Sequence, residues 1–281
     1  MNPEKSKTRT LGVVDSHFHV FAAQTALAGA RYVPAYDATL AGWQTAARAS
    51  GVTRGVLVQT SFMGTDNRCL LAALAAHPHM LRGVAVVAPD TSLASLQSLH
   101  AQGVRGIRLN LAGGSHEVSA WARSTPLWDA LLHLGWHLEL HTDRGALPKV
   151  LAALPQSLTL VIDHFGKPAS DAPDDETLRA VIRRCRSGVP QVHIKLSAAY
   201  RLGGLNPQTL AQRWLGELGP QALLWGSDWP CTNHEASADY EALFNGLASW
   251  LGHEAAVMTT LLSINPLQLY WAMAGPDAGL G

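Results

Sequence analysis

The stretch GVVDSHFH at residues 12–19 decides the fold, because a short apolar run ends abruptly in polar and ionisable residues. β-Branched residues in a run of this length are typical of a buried strand. Similar runs recur along the chain and predict eight strands: Gly12–Asp15, Gly55–Gln59, Gly83–Val87, Val104–Leu109, His137–His141, Leu158–Asp163, Val192–Leu196 and Leu223–Gly226.

Segments with helical periodicity separate most of these strands: Thr39–Ser50, Asn67–His77, Leu93–Ala101, Pro126–His133 and Thr177–Cys185. Strands alternating with helices predict a parallel sheet, and eight such units predict an α/β fold closed into a (β/α)8 TIM barrel. A doubly wound open sheet is the alternative. It would ordinarily carry a glycine-rich phosphate-binding turn after the first strand, where this chain has DSHFH instead.

A single domain is expected over residues 1–281, since no shift in composition or proline-rich linker divides the chain. Its 47% apolar and 15% charged residues are enough for a sizeable core. We expect tails at 1–11 and 275–281 and a closing helical segment at Ala255–Ala274.

Charge and composition argue against several classes of partner. The formal net charge is zero, from 21 basic and 21 acidic residues, so neither nucleic acid nor an anionic membrane is an expected partner. The start of the chain, MNPEKSKTRT, lacks the apolar stretch of a signal peptide. Three cysteines without a CxxC spacing argue against a disulfide framework. We therefore expect a cytoplasmic enzyme acting on a small molecule, in an oligomeric state that the sequence leaves open.

Imidazoles and a carboxylate follow four of the predicted strands. His17 and His19 are two residues apart in an extended segment, so both side chains can point to the same side. His141, His164 and Asp228 follow the fifth, sixth and eighth strands. Catalytic groups of TIM barrels lie at these strand ends. The set could hold a borderline metal with an open position, or work without metal, with Asp228 removing a proton from water.

Six segments of the chain resemble the amidohydrolase superfamily, in particular its amidohydrolase-2 branch. They occur in the same order, between about Val13 and Tyr270, and are VDSHFHVF (14–21), QTSFMGTDN (59–67), GVRGIR (103–108), VIDHFGKP (161–168), KLS (195–197) and WGSDWP (225–230). Within the branch, the segment around Gly64–Asn67 and the arginines are most similar to the 2-pyrone-4,6-dicarboxylate lactonases.

This resemblance implies a hydrolase that opens a small anionic lactone, foremost 2-pyrone-4,6-dicarboxylate. Asp228 matches the general base of the family, and His17, His19 and His164 match histidines that polarise the lactone carbonyl.

The resemblance leaves the metal open. The lactonases work without a tightly bound metal, but His141 matches a metal ligand of the wider superfamily. The implied cofactor is therefore none, or one zinc or manganese ion held by His17, His19, His141 and Asp228. Where binuclear relatives carry a bridging lysine at the end of the fourth strand, this chain has Arg108 and Asn110, which disfavours a binuclear centre.

Substrate contacts are also implied by the resemblance. Arg201 and either Arg105 or Arg108 match arginines that hold substrate carboxylates, for which the forked guanidinium is well suited. Strand alternation places Arg105 and Arg108 on opposite faces, and Arg108 is the preferred candidate. Tyr32 or Tyr36, together with Ser61, resemble neutral groups that orient the ring.

Three other functions stay open at this point. A sugar-acid lactonase of the same branch would need groups that bind hydroxyls more than arginines. A metal-dependent decarboxylase would release carbon dioxide from an aromatic or enoic acid. A non-enzymatic ligand-binding barrel would be inert toward all of these substrates.

Overall fold

Eight parallel strands form one sheet in the computed structural model, which describes residues 12–186 and 192–272. Their order in the sheet follows the chain, and their bounds are β1 Val13–Phe18, β2 Val52–Val58, β3 Leu81–Ala85, β4 Val104–Asn110, β5 His137–His141, β6 Leu160–Ile162, β7 Val192–Ser197 and β8 Leu223–Gly226. The predicted (β/α)8 TIM barrel is confirmed. The largest differences from prediction are that β1 continues to Phe18 and that β2 begins at Val52.

The barrel closes where β1 meets the end of β8. Asp228 N donates to His17 O at 2.8 Å, and His19 N donates to Trp229 O at 2.8 Å. The two chains come so close that a Cβ atom added at Gly226 would lie 2.4 Å from the Cβ of His17. Glycine is therefore needed at this position for closure.

Ten α-helices are described, and most of them surround the sheet. They are α1 Leu40–Arg48, α2 Arg68–Ala76, α3 Leu93–Ala101, α4 Ser119–Ala122, α5 Thr125–Leu134, α6 Leu147–Ala153, α7 Glu176–Arg186, α8 Pro207–Leu218, α9 Tyr240–Leu251 and α10 Ala255–Thr259. Thr39 caps α1 by accepting a hydrogen bond from Gly42 N, as its place before the helical pattern suggests. Among the described helices, none has both the length and the apolar character needed to cross a membrane.

The last described residues of the chain cover the end of the barrel that lies opposite the carboxyl ends of the strands. After α10, two π-helical segments, Thr260–Ile264 and Leu267–Trp271, continue the predicted closing helical segment. Tyr270 is fully buried against inward-facing apolar residues of the strands, including Val56 and Leu224, and its ring lies 5.2 Å from that of His137 at the start of β5. Residues 273–274 and the predicted tails at 1–11 and 275–281 lie outside the described residues.

Candidate active site

A cavity of about 800 Å³ opens at the carboxyl ends of the strands. This volume is within the usual range for a small-molecule site, ~300–1,000 Å³. Its wall includes three of the predicted imidazoles, the predicted carboxylate and four longer cations: His19, His141, His164, Asp228, Arg31, Arg108, Lys167 and Arg201. His17 lies fully buried just below them. The predicted catalytic residues therefore meet at one place.

Asp228 has contacts to both of its carboxylate oxygens. Oδ1 lies 3.3 Å from His19 Nε2 and 3.5 Å from His17 Nε2. Oδ2 accepts hydrogen bonds from Tyr200 Oη at 2.7 Å and from Arg201 Nε at 2.8 Å. Burial alone would raise the pKa of Asp228, but the Arg201 guanidinium and the surrounding donors hold that pKa well below its usual range. Asp228 is thus a carboxylate, able to accept a proton.

Two of the site residues have a backbone conformation that L-residues rarely adopt. The φ angle is 57° at Asp228 and 52° at His164. Such left-handed conformations cost free energy in residues other than glycine and are concentrated at functional sites. Each residue lies two positions after the end of a short strand, and its side chain lines the cavity.

In each imidazole, the hydrogen-bond partner of Nδ1 determines whether Nε2 can accept or donate a hydrogen bond. His19 Nδ1 lies 2.7 Å from Val58 O, a carbonyl that can only accept, so Nδ1 carries a hydrogen. In a neutral His19 ring, Nε2 then presents a lone pair toward Asp228. His164 Nδ1 instead lies 2.9 Å from Ser197 Oγ, a hydroxyl that can donate or accept.

Burial keeps the other imidazoles of the site neutral. It lowers the pKa of His164 to about 3 and the pKa values of His17 and His141 well below the ordinary value. Desolvation disfavours the charged imidazolium, so these rings are neutral near pH 7. A neutral ring donates a hydrogen bond from one nitrogen, and its other nitrogen can accept a hydrogen bond or ligate a metal.

The residues present fit a divalent cation. His19 Nε2 and Asp228 Oδ1 lie 3.3 Å apart, and in a neutral His19 ring with its hydrogen on Nδ1 both atoms are acceptors that can bind one cation. The donor atoms of His17, His164 and Asp228 lie within 4.8 Å of one another. His17 Nε2 is buried and makes no hydrogen bond to any described residue. Imidazoles with a carboxylate are the donor set that zinc prefers.

His141 stands apart from the other three predicted metal ligands. Its ring lies 4.6 Å from that of His164, and its Nδ1 lies 3.4 Å from Arg108 Nη2. Its possible ligand group contains His164 and Asp163 rather than Asp228. His17, His19 and Asp228 are thus brought together, with His141 on the far side of His164.

A buried network of charges supports the site from below. Lys195 on β7 contacts Glu139 on β5 at 2.5 Å and His17 Nδ1 at 3.1 Å. Arg108 on β4 donates to Asp163 Oδ2 at 2.8 Å, and Asp163 Oδ1 lies 3.2 Å from His17 Nδ1. Two cations and two carboxylates balance, which a low-dielectric interior requires. Burial and the nearby Asp163 carboxylate raise the pKa of Glu139 to about 7.

The predicted arginines differ in their positions. Arg201 lines the cavity, where its Nε binds Asp228 and its Nη2 donates to Thr232 O at 2.8 Å. Arg108 also lines the cavity and uses Nε and Nη2 to bind Asp163. Arg105 lies on the opposite face of β4 and donates to His100 O in α3, so it is not part of the described cavity wall. The alternation of the strand accounts for this difference.

The predicted neutral groups lie at the rim. Ser61 and Tyr32 line the cavity. Tyr36 packs behind them against Phe21, outside the described cavity wall. The hydroxyls of Tyr32 and Tyr36 both donate to Glu235 Oε1, at 2.6 and 2.8 Å.

Several residues of the site were missed from the sequence. Glu139 alternates with His137 and His141 along β5, a period of two that could have marked it as facing the barrel interior. Lys195 lies in the KLS segment but received no role there. Tyr200 lies in the short 3-10 helix Ala199–Leu202 after β7, and no pattern in the sequence indicates its hydrogen bond to Asp228.

Comparison of the sequence with known proteins identifies a family and several relatives. Residues 14–271 match the family model described as amidohydrolase. The chain is 30% identical over 291 residues to the 2-pyrone-4,6-dicarboxylate hydrolase of Comamonas testosteroni, with 96% of this chain and 94% of that protein covered. It is 29% identical over 237 residues to the 4-sulfomuconolactone hydrolase of Hydrogenophaga intermedia, covering 78% of this chain and 75% of the other.

Among solved structures, the crystal structure of a probable 2-pyrone-4,6-dicarboxylic acid hydrolase from Acinetobacter baumannii with citric acid bound has a TM-score of 0.81 and 32% identity. The match covers 93% of this chain and 100% of that one. The resemblance read from the sequence motifs is confirmed.

Proposed function

The chain belongs to the amidohydrolase family, and on that premise we propose that it hydrolyses a small anionic lactone, foremost 2-pyrone-4,6-dicarboxylate. The observation that carries the proposal is the Asp228 carboxylate, set among neutral imidazoles at the base of a cavity lined by cations. Two relatives named for the hydrolysis of anionic lactones support it, as does a solved relative that holds the polycarboxylate citric acid.

The nucleophile in the proposed reaction is a water held by His19 and Asp228. Their facing acceptor atoms, Nε2 and Oδ1, can each take one hydrogen from the same water. Asp228 removes a proton as the water oxygen bonds to the lactone carbonyl carbon. The bond between that carbon and the ring oxygen then breaks, the ring oxygen takes the proton from Asp228, and the new carboxylic acid loses its proton to solvent as the ring-opened product leaves.

Stabilisation of the oxyanion falls to His17 and His164. His17 Nδ1 lies 3.1 Å from the Lys195 ammonium, which can only donate, and 3.2 Å from Asp163 Oδ1, which can only accept; the mechanism requires that Nδ1 accepts from Lys195, which leaves a hydrogen on Nε2. His164 can likewise donate from Nε2 when the Ser197 hydroxyl donates to its Nδ1. Donors aimed at a developing oxyanion in a buried site typically contribute a factor of ~10²–10³ each to kcat.

A divalent cation, zinc or manganese, would be held by His17, His19 and Asp228, with His141 or His164 nearby. When bound, it would polarise the carbonyl and make a coordinated water more acidic, with a pKa as low as ~7.

Substrate carboxylates are proposed to bind Arg201 and Arg108. The hydrogen bonds of both arginines to described residues use Nε and Nη2, so Nη1 remains for a ligand at the cavity wall. Tyr32 and Ser61 would contact the ring, with Tyr36 acting through Tyr32. The anion preference thus arises locally in a chain without net charge.

The test is hydrolysis of 2-pyrone-4,6-dicarboxylate, followed as loss of pyrone absorbance with and without a chelator. We expect turnover that falls by ~10²–10⁴-fold or more in Asp228→Asn, because a general base contributes about that much. Asp129→Asn, on the exposed face of α5, is the matched control and should keep full activity.

The chelator separates the two forms of the mechanism. Turnover that survives chelation supports the metal-free form, and turnover that is lost and restored by zinc or manganese assigns the metal to the imidazoles. An enzyme inert toward this substrate in both conditions contradicts the substrate assignment, and sugar-acid lactones and decarboxylation would be assayed next.

A further inference from the structure

The lysine and arginine side chains of the cavity wall fall into two classes. Arg108 and Arg201 each pair with a buried carboxylate, Asp163 and Asp228, at 2.8 Å. Within the described residues, Arg31 and Lys167 have no carboxylate oxygen within 4 Å. Arg31 is exposed and lies on the loop between β1 and α1. Its guanidinium is thus at the cavity wall without a carboxylate partner among the residues that the structure describes.

The guanidinium of Arg31 rests on a glycine from another loop. A Cβ atom added at Gly113, in the loop after β4, would lie 1.5 Å from Arg31 Nη1. Any side chain at 113 would therefore displace the guanidinium from this position. Gly113 is itself fixed, because its N–H donates to Asp143 Oδ2 at 2.8 Å. The backbone of Gly113 thus defines one position for the guanidinium beside the cavity.

The segment that carries Arg31 is tied to its surroundings on both sides. Leu27 N donates to Phe62 O at 2.8 Å, and Ala30 N donates to Leu27 O at 3.0 Å. Tyr32 packs on Phe62 and donates to Glu235 at 2.6 Å. The backbone on either side of Arg31 is thus held before any ligand arrives, which lowers the entropy cost of binding an anion there.

We propose that Arg31 is a specificity-determining residue, which binds a second anionic group of the substrate while Arg201 and Arg108 bind the first. This inference rests on the proposed function and adds a residue to it: Arg31 selects lactones that carry a second carboxylate or sulfonate group. A planar guanidinium can bind two oxygens of either group at once. A lactone with a single anionic group would gain nothing from Arg31 unless that group were the one that it binds.

The first test compares Arg31→Gln with wild type on 2-pyrone-4,6-dicarboxylate and on the two pyrones that keep only the 4- or only the 6-carboxylate. KM for the dicarboxylate and for one monocarboxylate should rise about 10- to 100-fold, as expected for a lost charged hydrogen bond, with kcat nearly unchanged. KM for the other monocarboxylate should not change. Arg48→Gln, which removes an exposed arginine from α1, is the matched control and should change none of these values.

A second variant moves the guanidinium without removing its charge. Gly113→Ala should raise the same two KM values, because the added Cβ takes the position of the Arg31 guanidinium and displaces it. Gly204→Ala controls for backbone strain: its φ is 89°, against 68° at Gly113, and its added Cβ would meet no atom within 4 Å. Equal effects of the two alanine variants, or an equal rise of all three KM values in Arg31→Gln, would overturn the role of Arg31.

Binding of pyridine-2,4-dicarboxylate, a dianion that cannot be hydrolysed, separates this inference from the proposed function. Calorimetry should show weaker binding to Arg31→Gln and unchanged binding to Arg48→Gln. If wild type opens no lactone but this difference is present, the proposed function fails and the anion site stands. If lactone turnover is normal and Arg31→Gln binds the dianion as wild type does, the anion site fails alone.

Discussion

The partner of Nδ1 differs among the histidines of the site, and it determines whether Nε2 of each ring accepts or donates a hydrogen bond in the cavity. His19 donates from Nδ1 to a backbone carbonyl, which leaves it an acceptor toward the cavity. His17 and His164 have partners at Nδ1 that can donate, Lys195 and Ser197. In the proposed mechanism the first ring therefore holds water, while the other two donate to the oxyanion.

The pKa shifts of these rings predict an unusual pH dependence. Because burial disfavours the imidazolium, His164 remains neutral until the pH approaches about 3, and His17 and His141 also stay neutral through the ordinary range. The pKa of Asp228 is also well below its usual value. We therefore expect these four groups to cause no change in kcat/KM between pH 5 and pH 8, whereas Glu139, whose pKa is about 7, is expected to titrate in this range.

The measurement is kcat/KM for the dicarboxylate at constant ionic strength, with spontaneous hydrolysis of the lactone subtracted. A change in kcat/KM near pH 7 that disappears in Glu139→Gln would agree with this assignment, and an acid-side fall that persists in Glu139→Gln would contradict the neutral state of the buried imidazoles.

Among the elements, the contact between β1 and β8 closes the barrel and also assembles the catalytic pair. The backbone hydrogen bonds of His17 and His19 to Asp228 and Trp229 explain why β1 continues beyond Asp15. The histidines and the aspartate are 209 or more residues apart in sequence, yet neighbours in the barrel. Their meeting is a consequence of closure itself.

Two tyrosines of the loop between β1 and α1 are joined to one carboxylate of the loop after β8. Glu235 accepts hydrogen bonds from both Tyr32 and Tyr36. We predict that Glu235→Ala frees this loop and raises KM for the dicarboxylate about 3- to 10-fold, as expected for the loss of ~1 kcal/mol per hydrogen bond, with little change in kcat.

Hydrogen exchange of residues 22–38 provides the second readout for this variant, since a freed loop exchanges faster. Glu241→Ala, at an exposed position near the start of α9, is the control and should alter neither quantity. Unchanged exchange in Glu235→Ala would show that apolar packing alone holds the loop.

At the scale of the whole molecule, the barrel interior has a polar layer between the cavity and the apolar end covered by Tyr270. Lys195, Glu139 and Asp163 are fully buried or nearly so, as is Arg108. Arg108, Glu139 and Lys195 lie on β4, β5 and β7, and Asp163 directly follows β6, so their ion pairs connect β4 through β7 across the interior. A buried pair of this kind is costly to form and more costly to break on one side.

Removing one partner should therefore destabilise the whole barrel. Lys195→Met removes the nearest cation of the buried Glu139 and leaves only Arg108 Nε, 3.6 Å away, and we predict a loss of ~3–5 kcal/mol in the free energy of unfolding. The double variant Lys195→Met with Glu139→Gln should recover much of that loss, because no unpaired charge remains at this pair.

Denaturant unfolding of the two single variants and the double variant measures the coupling directly. Lys149→Met is the matched control, since Lys149 forms an exposed pair with Glu117 and should cost no more than ~0.5 kcal/mol. A double variant as unstable as the sum of its single variants would show that the pair is not coupled.

The sequence by itself determined the barrel and the identity of the groups at its mouth. Eight apolar runs alternating with helical segments indicate the fold, because strand and helix each impose a local period on the side chains. The residue that follows each strand is then certain to lie at the mouth, so His17, His19, His164 and Asp228 could be found without coordinates. The same period of two predicted that only one of Arg105 and Arg108 faces the barrel interior, and the structure places Arg108 at the cavity wall.

Only the tertiary structure decided what each of these groups contacts. Arg31 resting on Gly113, Tyr200 donating to Asp228 and Glu235 joining two tyrosines are contacts between loops far apart in sequence. Loops follow no repeating pattern, and their positions depend on which other loops they meet once the barrel has closed. The tautomers of the histidines and the pairing of the buried charges likewise depend on neighbours from other strands, which local periodicity cannot specify.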